Sequence, residues 1–99
     1  MYKVIFLQPA KNDLLEIAAY YNEVFGRESA KKVIASIKKA IMRLELFPDS
    51  GSVPPDRMLE KQGYRMVISG KFVAIYRQLG DIVYIYHICN TQTNYPLLF

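Results

Sequence analysis

Cysteine and histidine occur once each, as Cys89 and His87. A lone cysteine excludes an internal disulfide and a multi-cysteine metal site. Long apolar runs are also missing, because Lys, Arg, Asp or Glu interrupts every stretch well short of a membrane span. The opening residues 1–9 are too short and too soon broken by Lys3 and Pro9 to read as a signal peptide. There is no glycine-rich phosphate loop, no paired-histidine helix motif and no His/Asp/Ser constellation. These absences predict a cytoplasmic, soluble domain without cofactor or metal and without membrane association. Any chemistry falls to arginine, lysine, tyrosine and the one histidine.

Acidic residues are scarce in one region. Residues 1–60 hold nine basic and eight acidic side chains, whereas residues 61–99 hold Lys61, Arg65, Lys71 and Arg77 against Asp81 alone. The net charge of +4 therefore concentrates in the C-terminal part. A local cationic surface suits a polyanion or an acidic protein segment, and equally describes a mildly basic surface with no specific partner.

What is present is enough for one core. The 99 residues are 52% hydrophobic and 22% charged, a composition that folds. Without repeats, low-complexity stretches or a linker, residues 1–99 read as a single domain. A chain this small cannot bury all of that apolar material, so an exposed apolar patch is expected.

Periodicity divides the chain. Tyr2 to Leu7 is a short Val/Ile/aromatic run and reads as a strand, stopped by Pro9. Leu14, Ile17, Ala18, Tyr21 and Phe25 fall at steps of three and four and define a helix from Ala10 to Phe25, ended by Gly26. Ala30, Val33, Ile34, Ile37, Ile41 and Leu44 define a second helix, ended at Phe47-Pro48-Asp49. Its opposite side carries Lys31, Lys32, Lys38, Lys39 and Arg43, which read as a solvated face. Residues 49–63 hold turn-forming Pro, Asp, Ser and Gly and read as a loop. Three β-rich segments follow, Gly63–Ser69, Lys71–Leu79 and Ile82–Cys89, separated by Ser69-Gly70 and Gly80-Asp81. The expected fold class is α+β, in the order β-α-α-β-β-β, with a helical hairpin packed on an antiparallel sheet.

Four residues stand out as site candidates. Arg65 and Arg77 sit inside apolar strands, where a guanidinium can grip a phosphate bidentately or lay its stem on apolar neighbours with its head in water. In a twisted meander the two are expected to converge above one sheet surface. His87 can act as general acid or base, or be a satisfied half-buried histidine. Tyr95 can stack on a base, or the 95–99 segment can simply dock on the domain. Cys89 reads as a small core residue, and Tyr76, Tyr84 and Tyr86 as ordinary sheet packing.

The combination is similar to the RelE/ParE superfamily of toxins from bacterial type II toxin–antitoxin systems. The features that carry the resemblance are the Val4-Ile5-Phe6 strand before Pro9-Ala10, the helix exit Leu44-Glu45-Leu46-Phe47-Pro48 with Gly51, and the spacing of Arg65, Gly70 and Ile75-Tyr76-Arg77. Tyr95-Pro96-Leu97-Leu98-Phe99 resembles the tail of some members. Two features depart from the pattern. Val73 stands where members often carry an arginine, and Asn90, Gln92 and Asn94 stand where a histidine, an arginine and an aspartate are usual.

The resemblance implies a growth-inhibiting toxin, neutralised by a cognate antitoxin whose C-terminal segment wraps it. Its RNA-cleaving branch implies metal-independent endoribonuclease action on messenger RNA, typically at the ribosome. Its ParE branch implies poisoning of DNA gyrase by binding, and such pairs serve plasmid stabilization. Arg65, Arg77 and Tyr95 carry over, with His87 an outside candidate. Metal-free RNA cleavage needs a base, a charge on the scissile phosphate and an acid, and arginines supply only the middle part. The alternative is a catalytically idle module that keeps the toxin fold and acts through antitoxin binding and autoregulation.

Overall fold

The computed structural model describes residues 1–99. Strand β1 (Lys3–Phe6) leads into helix α1 (Gln8–Phe25), with Pro9 in its first turn. Gly26 then serves two helices at once. Its amide donates to Asn22 O, closing α1, and its carbonyl accepts from Ala30 N, opening α2 (Arg27–Met42). With φ at 95° it occupies a backbone region that other residues rarely adopt. One residue thus folds the two helices into a hairpin.

A 3₁₀ turn at Arg43–Glu45 completes α2, and a short helix α3 (Arg57–Lys61) interrupts what reads in sequence as loop. The Asp56 carboxylate caps α3 by accepting from Leu59 N at 3.0 Å. Strands β2 (Tyr64–Ser69), β3 (Phe72–Leu79) and β4 (Ile82–Asn90) form the antiparallel meander. The sheet order is β1-β4-β3-β2, and β1 joins β4 in parallel, so the complete sheet is mixed rather than wholly antiparallel. The physical reason lies in the hairpin. Two helices carry the chain back across the sheet before β2, which frees β1 to take the open side of β4 in either sense.

The helices cover one face. Ala10 of α1 and Ile37 and Ile41 of α2 meet Phe72, Ala74, Tyr76, Val83, Ile85 and Ile88 in the main core, with Leu44 beside them. Ile37 and Ile41 are at most 2% exposed, and each contributes about 1.5–3 kcal/mol by burial. The far face carries a smaller cluster of Leu59, Tyr64, Val73 and Ile75, with Met66, Tyr86, Cys89 and Tyr95 packed against it. The helix lysines at 31, 32, 38 and 39 are all exposed. Apolar surface remains open as well, including Leu15, Tyr20, Val24 and Phe25 on α1 and Leu46, Phe47 and Ile68 elsewhere.

Candidate functional site

Strand register decides where the two arginines go. Tyr64 pairs with Arg77, and Arg65 pairs with Tyr76. Directly opposed residues share a face, and successive residues alternate faces. Arg65 therefore lies on the helix-covered side with Tyr76, and Arg77 lies on the far side with Tyr64. The expected convergence of Arg65 and Arg77 does not occur, because the register offsets them by one residue.

On the helix-covered side, a buried tyrosine and an arginine hold a loop. Tyr76 is fully buried, and its hydroxyl donates to Pro48 O at 2.7 Å and accepts from Gly51 N at 3.0 Å. Arg65 Nη1 donates to Gly51 O at 3.0 Å and, more loosely, to Asp49 O at 3.4 Å. Glycine is required at 51 by space. A Cβ there would meet the Tyr76 hydroxyl and lie 2.7 Å from Met66 O. The Pro48–Gly51 stretch, which carried part of the family resemblance, is thus a strap pinned by its own backbone groups. Burial pushes the Tyr76 phenol above its ordinary pKa, so it stays protonated and keeps donating.

On the far side, Arg77 is held by aromatic rings. Its guanidinium carbon lies 4.8 Å from the Tyr64 ring centroid and 5.4 Å from that of Tyr86. Nη2 donates to Tyr86 Oη at 2.9 Å, and Nη1 reaches Gln62 O at 3.3 Å. Nε is buried with no acceptor. Phe99 packs on the same rings, its centroid 4.8 Å from Tyr64 and 6.2 Å from Tyr86. The ladder steps from Ile75 opposite His87 to Tyr76 opposite Ile85, which leaves Tyr86 as the extra residue of a bulge. Bulges re-aim side chains, and the extra residue here, Tyr86, meets the arginine while the adjacent His87 meets Phe99.

His87 has a partner that the sequence does not advertise. Its Nδ1 lies 3.1 Å from Asp13 Oδ2, and the same oxygen accepts from Ile88 N at 2.8 Å. Asp13 caps the edge of β4 beyond the last paired residue of β1, and it orients the imidazole while doing so. His87 also contacts Phe99, with centroids 5.4 Å apart. Tyr95 packs in the far-side cluster, where burial, then the Asp56 and Cys89 charges, push its phenol above the ordinary value. A phenol so shifted stays neutral, which makes it a hydrogen-bond donor and a poor base.

The structure therefore brings Arg77, His87 and Tyr95 to one side of the sheet and leaves Arg65 on the other. Sequence reasoning missed Tyr64, Asp13 and Phe99 and read Tyr86 as ordinary packing. Tyr64 and Phe99 leave only a weak sequence signal, as aromatics at a strand start and in the tail. Asp13 leaves none, standing 74 residues from its histidine.

The model of the ParE toxin of the type II toxin–antitoxin system parDE matches residues 4–95. The chain belongs to that family. Its fold is similar to a solved chromosomal ParDE toxin–antitoxin system from P. aeruginosa, with a TM-score of 0.79 at 23% identity over 93% of this chain and 98% of that one. It is also similar to the RelBE2 toxin–antitoxin complex from Mycobacterium tuberculosis, with a TM-score of 0.67 at 20% identity over 90% of this chain and 96% of that one. No curated protein sequence matches the chain. No helix is long and apolar enough to cross a membrane.

Proposed function

We propose that this toxin arrests growth by binding a protein target, DNA gyrase, and that a cognate antitoxin neutralises it. One observation carries the choice of binding over RNA cleavage. Arg65 and Arg77 point to opposite faces, and Arg65 Nη1 serves the Pro48–Gly51 strap while Arg77 Nη1 and Nη2 serve Gln62 and Tyr86. A phosphate clamp needs cations that converge with free donors. The antitoxin part rests on family membership and on the open apolar surface of α1 beside the basic face of α2, which a partner segment of apolar and acidic character would cover.

RNA cleavage is the second reading, and the Asp13–His87 pair favours it. A carboxylate at Nδ1 leaves Nε2 as the atom for proton transfer, the arrangement expected of a general base. Two assays separate the readings. Purified toxin added to gyrase is expected to arrest supercoiling while leaving ribosome-bound messenger RNA intact. Cleaved messenger RNA, lost in Arg65→Ala or His87→Ala, supports the nuclease instead. Unimpaired growth on induction without a partner, at good soluble expression, points to the idle module.

A further inference from the structure

Phe99 is seated in a place built for a ring. It packs on Tyr64, Tyr86 and His87 at once, and the guanidinium of Arg77 lies against the first two. Yet Phe99 remains 45% exposed, so the seat is filled without being sealed. The segment that carries it is lightly held. Thr91 N donates to Lys71 O, but beyond it the backbone bonds are local ones within residues 90–99, and no side chain of that stretch donates into the sheet. In the same cluster, Arg77 Nε is buried without an acceptor. With Phe99 in place the cluster therefore keeps one donor unsatisfied.

We infer that Tyr64, Arg77, Tyr86 and His87 form a receptor for one aromatic side chain of a partner protein, and that Phe99 fills it in cis. The ring geometry selects this ligand class. Phe99 meets Tyr64 at 62° and His87 at 79°, edge against face, as benzyl and phenol rings pack in protein cores. A nucleobase instead stacks parallel on an aromatic face and brings a phosphate, which needs a free cation. The cation at this site already gives both terminal nitrogens to Gln62 and Tyr86. A partner residue that brings a ring and an acceptor would satisfy Nε as well, and so would displace Phe99. On this reading the 95–99 segment lifts for the partner's ring to reach Tyr64 and Tyr86, the two rings that hold Arg77. The inference deepens the target-binding reading above and rests on it for the identity of the partner. Its test needs no target, so either can fail alone.

The single histidine supplies the probe, since its ring-proton NMR signals are unique and it touches Phe99. In Phe99→Ala those signals shift as the ring current is lost. N-acetyl-tyrosinamide then binds Phe99→Ala saturably and about tenfold more tightly than it binds the parent chain, in which Phe99 competes. Phe99→Leu, which keeps an apolar contact, gives an intermediate affinity and guards against a folding defect. The receptor is overturned by absence of saturable binding to Phe99→Ala, and the cis plug by equal affinity in parent and variant. Tighter binding of adenosine monophosphate than of the tyrosine amide reassigns the site to nucleotides.

Discussion

Arg65 and Arg77 stand almost opposite one another in the ladder, yet they do different physical work. On the helix-covered side, Arg65 meets backbone carbonyls, and Tyr76 beside it is wholly buried and fully paired. On the far side, Arg77 meets rings, leaves one donor unpaired, and shares Tyr64 and Tyr86 with Phe99, which is half open to solvent. The first arrangement is complete within the chain. The second is not, and incomplete satisfaction at the surface of a well-packed sheet is where a partner gains most. A shift of one residue in register separates an arginine that pins the strap from one that keeps an unpaired donor among rings.

The largest effect should come from the complete side. Tyr76→Ala removes a buried ring from the main core and both strap bonds, and is expected to cost about 3–5 kcal/mol in urea denaturation. Tyr76→Phe keeps the ring, leaves Pro48 O and Gly51 N without their partner, and should cost about 1–3 kcal/mol. A Tyr76→Phe protein as stable as its parent would remove the argument that the strap is pinned by that hydroxyl.

Alkaline titration sharpens the comparison from the far side. Burial, then the Asp13 charge, push the Cys89 thiol up to about 11 from 9.0. Its folded-state pKa is thus raised, so the folded chain holds the proton more tightly than the unfolded one. The thiol's contribution to stability is full below pH 9 and is lost as pH rises toward about 11. Tyr64, Tyr76 and Tyr95 are raised as well and act in the same direction from about pH 10 upward. Urea midpoints should therefore fall with pH from 9, and Cys89→Ala should flatten the first part of that fall while leaving the tyrosine part. An unchanged slope in Cys89→Ala would show that the thiol is not protected on the far face.

Gly26→Ala gives the smallest effect. No atom crowds the position, so the cost is the positive φ alone, about 1–2 kcal/mol. Thermal melts should fall by about 4–16 °C, with both faces of the sheet unaffected.

The elements were legible because their signals are local. Leu14, Ile17 and Tyr21 on α1, and Val33, Ile37 and Ile41 on α2, mark helix faces by spacing alone, and Gly70 and Gly80 mark the turns of the meander. The ParE family match and the shared fold agree with that reading. The site was less legible, because faces depend on register and on one extra residue at Tyr86, and neither leaves a compositional trace. Arg65 and Arg77 differ by an even number of positions, which in a continuous strand would put them on one face. The intervening turn resets the count. Asp13 reads as one more solvent-facing acid on α1 until the fold carries it to His87.

The contrast between the two arginines is tested most directly by gyrase supercoiling inhibition, measured for Arg65→Ala and Arg77→Ala at matched concentrations of folded protein. Arg77→Ala is expected to weaken inhibition about thirtyfold or more, while Arg65→Ala, though less stable, stays within about threefold of the parent. Equal loss in both variants, or full inhibition by Arg77→Ala, would contradict that contrast.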